Sequence, residues 1–229
     1  METPVYKFEP EDYDDVYEPA EDTFLLLDAL EDEQDAIKNR KPLMCVEIGP
    51  GSGVVISAIG KCFPAGQTHC MAFDINPAAC RMTQRTSLLN RVSVDAVNMD
   101  LLGGLQSHVV DLLVFNPPYV PTQPSDDGSL EEHADEFRSA GGRALIHSWA
   151  GGTDGRAVTD RMLSDLERVL SPTGVLYLLL LKENNPDDVL ENVRRSGFLG
   201  QIIKERRIRG EHLFVLRIER KRSEGNVPS

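Results

Sequence analysis

The stretch VVDLLVFNPPYVP, residues 109–121, decides the fold and marks the candidate site. Its first half is apolar and β-branched through Phe115, which is typical of a strand buried on both faces. The strand is expected to stop at Asn116, because the prolines that follow lack a backbone N–H and restrict the backbone. The sequence therefore places a side-chain amide at the end of a buried strand, with the aromatic ring of Tyr119 close behind it.

Similar apolar runs occur on both sides of this strand, and helical patterns separate most of them. The other predicted strands cover 43–48, 68–74, 92–98, 174–182 and 211–220. The predicted helices cover 20–31, 53–62, 77–90, 155–170 and 186–197. This alternation predicts right-handed crossovers and an α/β fold with a doubly wound, mostly parallel sheet and a late antiparallel strand.

The chain of 229 residues is long enough for one α/β domain, which we assign to residues 15–218. We expect the acidic residues 1–14 and the polar residues 219–229 to be mobile ends. Residues 120–148 are rich in Pro, Gly and acids, and an insert of that length is typical of a functional lid.

The composition narrows the class of function. The formal net charge of −13 and the pI near 4.8 argue against a broad basic surface for nucleic acid. No apolar run approaches the roughly 20 residues that a membrane span needs, and the N-terminal residues are acidic where a targeting peptide is basic. The cysteines form no CxxC pair, so we expect neither a metal site nor a disulfide framework. We expect a cytoplasmic protein, with the nucleus as a second compartment.

The first predicted strand ends in VEIGPGSG. Gly49, Gly51 and Gly53 allow a sharp turn and bring backbone N–H groups close to a ligand at the start of the next helix. A dinucleotide site would have G-x-G-x-x-G/A, but here Val54 occupies the third small position. Glu47 precedes the loop, where an anion would repel a pyrophosphate and suits a cationic ligand. A tight turn without a ligand is the alternative.

Acidic residues also follow the next two strands. Asp74 ends the second strand, where a carboxylate can accept hydrogen bonds from both hydroxyl groups of a ribose. Asp100 and Leu101 follow the third strand, in position to accept from an adenine amino group and to pack beside its ring. Each acid alone is weak evidence, since carboxylates often cap helices or turns. Acids at three successive strand ends favour a ligand that contains adenosine.

The amide of Asn116 ends the fourth strand. Its side-chain carbonyl accepts hydrogen bonds, and the restricted backbone lets the main-chain carbonyl of Pro117 point the same way. Two rigid acceptors suit a planar NH₂ group, and Tyr119 offers a face against which that plane can lie. The alternative is an Asn-Pro turn that only ends a strand.

Together, VEIGPGSG, FDIN and FNPPY resemble the class I S-adenosylmethionine-dependent methyltransferases of the HemK-like group. These enzymes methylate the glutamine of the Gly-Gly-Gln tip in peptide-chain release factors. DVYEPAEDTFLLLDAL at 15–30 and WAGGTDGR at 149–156 narrow the resemblance to the eukaryotic and archaeal branch. The resemblance implies a seven-stranded Rossmann-like sheet, S-adenosylmethionine as cofactor and methyl transfer to the N5 atom of a glutamine side chain.

Residue by residue, the resemblance implies cofactor contacts for the glycines of the loop and for Thr23, Glu47, Asp74, Asp100, Leu101 and Asn116. Asn116, Pro117 and Tyr119 would also hold the target amide. The segment of Tyr17, Glu18 and Pro19 would close the site from above. The insert at 120–148, which carries DDGSLEEHADEF, is longer than the family pattern, so its substrate contacts stay open.

The resemblance also implies a heterodimer with a small zinc-binding activator subunit, to which any zinc would belong. In the strand order usual for this fold, the strand at 92–98 lies at the sheet edge. Its unpaired backbone groups, with apolar Val92, Val94 and Ala96 on one face, would invite another chain.

Other functions use the same constellation. An adenine-amino methyltransferase acting on DNA or RNA would satisfy the same two acceptors, but it would also have to flip a base and grip phosphates. Lysine methylation is a further reading within the same chemistry. A scaffold that binds the cofactor without turnover is the non-enzymatic alternative.

Overall fold

The computed structural model describes residues 1–122, 151–152 and 154–221. The helices are α1 (Asp12–Asp15), α2 (Glu21–Asp32), α3 (Gln34–Arg40), α4 (Val54–Lys61), α5 (Pro77–Leu89), α6 (Ala157–Val169) and α7 (Pro186–Arg195). The strands are β1 (Met44–Ile48), β2 (His69–Asp74), β3 (Val94–Asn98), β4 (Val110–Phe115), β5 (Leu170–Leu181), β6 (Phe198–Ile208) and β7 (Glu211–Arg220). Most of the predicted insert, from residue 123, and residues 222–229 of the predicted tail lie outside the described residues.

The strands form one sheet in the order β3-β2-β1-β4-β5-β7-β6. Strands β1 to β5 pair in parallel, whereas β7 is antiparallel to both of its neighbours. This confirms the prediction of a doubly wound, mostly parallel, seven-stranded sheet. The strand order reverses between β1 and β4, and in open α/β sheets ligands bind at the carboxyl ends of the strands beside that point.

Apolar side chains cover both faces of the sheet. Strand β5 illustrates this, because Tyr177 and Leu179 pack with α2, α3 and α4 while Leu176, Leu178 and Leu180 pack with α6 and α7. All five side chains are fully buried. The continuous apolar run in the sequence therefore marks a strand with a helical layer on each side. Among the described residues, no helix is long and apolar enough to cross a bilayer.

Local signals set the beginnings of the helices. Pro77 and Pro186 occupy the first helical positions of α5 and α7. The N–H group at this position has no partner within a helix, so proline loses no hydrogen bond there. Helix α4 follows Gly53, which has a φ of 75°. A Cβ on Gly53 would lie 2.6 Å from the Cα atom of Thr83 in α5, so this glycine permits close packing of α4 on α5.

Strand β6 is a difference from the sequence prediction. Residues 198–208 read FLGQIIKERRI, and most of their side chains are exposed or half-buried. Few of its side chains are buried, so it lacks the continuous apolar pattern of the central strands, which are covered on both faces. Strand β7, by contrast, has the bounds that the sequence predicts, 211–220, so residues 219 and 220 belong to the sheet rather than to the predicted mobile tail.

Residues 1–14, for which the sequence predicts a mobile end, contact α4 and α5. Val5 N donates to Asn90 Oδ1 at 2.9 Å, and Asn90 Nδ2 donates back to Val5 O at 2.7 Å. Lys61 in α4 forms an ion pair with Glu2 at 2.9 Å. These contacts hold the segment that leads to Tyr17 against the body of the domain.

The third strand lies at the sheet edge, as expected, but its accessible face differs from the predicted one. Val94 is only 9% exposed and belongs to the core, next to Cys70 of β2. Val97 is 38% exposed and points to the opposite face of the sheet. The prediction that Val94 contacts a partner is therefore wrong, because its side chain packs inside its own domain.

Candidate active site

The carboxyl ends of β1, β2 and β4 bring the main predicted site segments together. Ile48 is in register with both Phe73 of β2 and Phe115 of β4. Gly49 N donates to Phe73 O at 2.8 Å, which ties the glycine loop to the end of β2. The loop after β1, the acid that ends β2 and the amide after β4 therefore meet at the carboxyl end of the sheet.

The glycine loop makes the tight turn that the sequence predicts. Gly49, Gly51 and Gly53 have φ values of 61°, 51° and 75°. Residues with a side chain rarely adopt this left-handed backbone conformation, so glycine is favoured at each position. A Cβ on Gly51 would lie 3.9 Å from Tyr17 O, which places the predicted closing segment directly beside the loop.

Glu47 is buried below this loop. Its Oε2 atom accepts from Ile56 N at 2.8 Å in the first turn of α4. Burial raises the pKa of Glu47 to about 8, the bond from Ile56 opposes that rise, and the nearby Asp74 carboxylate adds to it. Glu47 thus accepts a hydrogen bond from the first turn of α4, and a positively charged ligand would favour its ionised form.

Asp74 and Asp100 are in different surroundings. Asp74 Oδ1 accepts from Asn76 N at 2.8 Å, and burial raises the pKa of Asp74. Asp100 is exposed, and its Oδ2 accepts from Arg161 of α6 at 2.6 Å. An adenine amino group would therefore have to compete with this guanidinium. Leu101 packs against the core beside α6.

A carboxylate that sequence reasoning did not single out lies at the centre of the site. Asp22 is buried in the first turn of α2. Its Oδ2 accepts from Asn116 Nδ2 at 2.9 Å and from Tyr119 Oη at 3.3 Å. Its Oδ1 accepts from Tyr17 Oη at 3.3 Å and from Thr23 N at 2.7 Å. Asp22 thereby joins the YEPAEDT segment to the NPPY loop.

Asp22 sets the orientation of the Asn116 amide. An ionised carboxylate can only accept hydrogen bonds, so the NH₂ group of Asn116 must face it. The Asn116 Oδ1 atom then points away, and it is buried without a hydrogen-bond partner among the described residues. A buried acceptor left unpaired is unfavourable, so a donor on a bound molecule would satisfy it.

The two tyrosines around Asp22 act as neutral donors. Burial raises the pKa of both Tyr17 and Tyr119, and the Asp22 carboxylate raises it further. Glu211 at the start of β7 also faces this cluster. Burial raises the pKa of Glu211, with further contributions from Asp22 and Glu183.

The β6–β7 hairpin positions the helix that carries Asp22. Arg206 of β6 forms ion pairs with Glu21, at 3.1 Å, and with Asp28. Arg217 of β7 pairs with Glu33, beyond the end of α2, at 2.8 Å. The hairpin thus holds α2 at both ends, and the ion pair of Glu21 lies directly next to Asp22.

The predicted site residues thus fall into two groups. The first group surrounds the glycine loop and consists of Tyr17, Pro19, Thr23, Glu47, Asp74, Asn116, Pro117 and Tyr119. The second group is Asp100 and Leu101, whose main chain follows directly on the bond from Met99 N to Asp74 O at 3.0 Å but whose side chains face α6. Asp22 was missed because acids in the first turn of a helix are common and give no separate signal. Within the described part of the chain, no group of His, Cys, Asp and Glu has a metal-binding arrangement.

We expect the pH dependence of stability to report on Glu47. Its folded-state pKa of about 8 lies above the ordinary value of 4.5, so the unliganded protein takes up a proton at Glu47 on folding. This contribution to the free energy of unfolding is complete below pH 4.5 and is lost as the pH rises through 8. Glu47→Gln stays neutral, so its stability relative to the wild type should increase between pH 5 and pH 8 in urea unfolding.

The exposed Glu191 on α7 supplies the control, since Glu191→Gln should show no such trend. A stability difference between Glu47→Gln and the wild type that is the same at pH 5 and pH 8 would contradict the assignment.

Comparison with known proteins places this site in a family. The pattern of the methyltransferase small domain matches residues 21–143. The chain is 42% identical over 208 residues to Methyltransferase HEMK2 of Homo sapiens, covering 90% of each chain. It is 38% identical over 224 residues to the eRF1 methyltransferase catalytic subunit mtq2 of Schizosaccharomyces pombe, covering 91% of each chain.

A solved structure agrees with these similarities. The E. cuniculi Mtq2–Trm112 complex, which is responsible for the methylation of the eRF1 translation termination factor, matches with a TM-score of 0.65 and 28% identity. The match covers 90% of this chain and 99% of that chain. The family pattern spans Asp22, Glu47 and Asn116, and the similar proteins match over nearly their whole length. The chain therefore belongs to the methyltransferase small domain family, in the group that contains HEMK2 and Mtq2.

Proposed function

We propose that this protein methylates the glutamine side chain in the Gly-Gly-Gln motif of a class 1 peptide-chain release factor, with S-adenosylmethionine as cofactor. The observation that carries the proposal is the Oδ1 atom of Asn116, a buried acceptor held toward the site by Asp22. The action of Mtq2 on eRF1 in two organisms supports the substrate. We further propose that the protein acts in the cytoplasm, where release factors work.

The residues around the glycine loop fit this cofactor. Glu47 and Asp74 are acids held in the fold with raised pKa values, and among the described residues neither forms an ion pair with a lysine or arginine. A cationic ligand would supply the missing positive charge. Glu47, Asp74 and the loop backbone would hold the cofactor from below, with Tyr17 and Thr23 above. S-adenosylmethionine, when bound, supplies a methyl group made electrophilic by a sulfonium.

The chain's own contribution to the reaction is mainly positional. An amide nitrogen is a poor nucleophile because its lone pair is delocalised into the carbonyl. Asn116 Oδ1 and the main-chain carbonyl of Pro117 would accept from the substrate NH₂ group, which favours the positive charge that develops on nitrogen. Tyr119 offers its ring face to the amide plane. Holding reacting atoms in line at about 3 to 3.5 Å supplies up to about 7 to 11 kcal/mol.

The proton on nitrogen must leave after methyl transfer. An N-methylated, protonated amide is strongly acidic, so it can release this proton to solvent without a dedicated base. Asp22 already accepts hydrogen bonds at both oxygens, which suits a fixed acceptor better than a proton carrier. The protein therefore has to orient the amide rather than deprotonate it.

Asn116→Ala tests the proposed function. We expect methylation of a purified release factor, followed by mass spectrometry of its Gly-Gly-Gln peptide, to fall below detection. Cofactor affinity, measured by calorimetry, should change little, because the variant removes an acceptor for the substrate amide and few contacts to adenosine. Asn192→Ala, at an exposed amide on α7, is the matched control and should retain activity. Turnover of Asn116→Ala close to that of the wild type would refute the assignment.

Asp22→Asn tests how the Asn116 amide is oriented. The new side chain has an NH₂ group, which can bind Asn116 Oδ1 if that amide turns over. Asn116 would then present its own NH₂ group to the substrate, and the acceptor would be lost. We expect kcat to fall by about 10- to 100-fold, as for a displaced reactive group. Cofactor affinity should stay near the wild-type value.

The exposed carboxylate of Asp35 on α3 provides the control, since Asp35→Asn removes a charge without touching the site. If Asp22→Asn and Asp35→Asn have the same kcat, Asp22 does not orient the amide.

We propose that the protein works as the catalytic subunit of a heterodimer with a small zinc-binding activator. The solved complex of the similar protein Mtq2 with Trm112 supports a partner of this kind. In this chain the edge strand β3 has one side unpaired among the described strands, and Val97 is exposed on it. Leu88 and Leu89 at the end of α5, which packs on β3, are also exposed. An open strand edge flanked by apolar side chains is a surface for strand pairing with another chain.

Val97→Asp should weaken this heterodimer, because it places a charge in the apolar contact. Leu199→Asp is the matched control, since Leu199 is 49% exposed on β6 at the opposite edge of the sheet. We expect co-purification with the activator to be lost for Val97→Asp and kept for Leu199→Asp. Val94→Asp should instead destabilise the chain itself. Loss of the complex in Leu199→Asp alone, or a fully active monomer, would contradict the proposal.

A further inference from the structure

Asn184 is a fully buried amide directly behind the NPPY loop. It ends the 3₁₀ turn Lys182–Asn184, which follows β5. Its Oδ1 accepts from Leu181 N at 2.7 Å, and its Nδ2 donates to Tyr119 O at 2.8 Å. The same Nδ2 lies 3.1 and 3.3 Å from the two carbonyl oxygens of residues 154–155. One side chain thus joins the end of β5, the NPPY loop and the turn before α6.

The turn before α6 packs closely against this amide at its described glycines. A Cβ on Gly155 would lie 2.0 Å from Tyr119 O and 2.4 Å from Asn184 Nδ2. A Cβ on Gly151 would lie 2.5 Å from Pro118 O, and Gly151 N donates to Val120 O at 2.8 Å. The glycines therefore let this turn pack directly on the rear of the NPPY loop.

The NPPY loop depends on such outside support. Pro117 and Pro118 have no N–H group, so this part of the loop cannot donate main-chain hydrogen bonds. Its position is set instead by groups that bind its carbonyl oxygens and its side chains. Three carbonyl oxygens converge on Asn184, and such a set needs a donor, which the NH₂ group supplies.

We infer that Asn184 is a positioning residue for methyl transfer, an inference that rests on the proposed function. Asn184 holds the main chain of the NPPY loop through Tyr119 O, while Asp22 holds the side chain of Asn116 from the other direction. Together they place the two acceptors, Asn116 Oδ1 and Pro117 O, for the substrate amide. Asn184 acts through the loop and does not itself contact the reacting atoms.

Asn184→Asp provides the direct test in the wild-type heterodimer background. The variant keeps an acceptor for Leu181 N but turns a second carboxylate oxygen toward the converging carbonyls. We expect kcat at pH 8 to fall by about 100-fold, with little change in cofactor affinity by calorimetry. As the pH falls toward 6 the buried acid should protonate and donate one hydrogen bond, so the ratio of its kcat to the wild-type kcat at the same pH should rise. Glu47 titrates in the same range in both proteins, which is why the ratio is compared. Asn184→Ser, with a single hydroxyl donor, should lie between this variant and the wild type.

Leu166→Ala is the control for a general loss of stability. Leu166 lies in α6 and is buried like Asn184, but its apolar side chain cannot hydrogen-bond to the NPPY loop. It should lower the melting temperature while leaving kcat, at a temperature where it is folded, near the wild-type value. Hydrogen–deuterium exchange of the Tyr119 and Val120 amides gives a readout independent of activity. We expect faster exchange there in Asn184→Asp than in Leu166→Ala.

The inference is overturned if Asn184→Asp keeps the wild-type kcat and loop protection, or if both Asn184 variants lose cofactor binding or folding together with activity. It is also overturned if Leu166→Ala lowers kcat and speeds the exchange of the loop amides as much as Asn184→Asp does. A wild-type heterodimer that does not methylate the release factor refutes the proposed function instead, and the exchange measurement then still decides whether Asn184 holds the loop.

Discussion

The hydrogen bond from the Asn116 amide to the Asp22 carboxylate is the constraint on which this site depends. A carboxylate accepts and never donates when ionised, so its presence determines which end of the amide faces the substrate. Tyr17 and Tyr119 donate to the same carboxylate, which gives Asp22 a full set of partners. The acidic helix turn that closes the site thus also sets its chemistry, because it leaves Asn116 Oδ1 as a buried acceptor that a substrate NH₂ group can satisfy.

The support for this bond comes from the opposite end of the chain. Arg206 in β6 pairs with Glu21 and Asp28, so the helix with Asp22 is held against the β6–β7 hairpin. An exposed or half-exposed ion pair stabilises the fold only slightly, by about 0 to 1 kcal/mol. Its value here is geometric, since it fixes the direction of the first turn of α2 rather than adding much stability. An edge strand with a polar sequence thereby takes part in forming the active site.

The electrostatics of the site follow the needs of its proposed ligands. Burial raises the pKa of Glu47 to about 8, because the ionised carboxylate is unfavourable there without a ligand. A bound cation would stabilise the ionised carboxylate. Asp74 and Glu211 also have raised pKa values through burial. Glu47 is buried and the other two are partly buried, and a purely structural core would avoid three such acids without cationic partners. Their presence agrees with a cofactor that carries positive charge and with a reaction that develops positive charge on nitrogen.

Much of this protein follows from local sequence. Long apolar runs predicted the central strands, because burial on both faces leaves a continuous pattern, and glycine and proline chemistry located the loop after β1 and the turn after β4. Contacts between residues far apart in the sequence were revealed only by the tertiary structure. Asp22 and Asn116 lie 94 residues apart, and no periodicity relates them. β6 lacks an apolar pattern because few of its side chains are buried, and Val94 is a core residue because of the way that α4 and α5 pack on β3. Periodicity encodes how deeply a segment is buried, whereas the partner of a polar group is set by the packing of whole elements, which is why the sequence identified the loop and the structure identified the carboxylate that orients it.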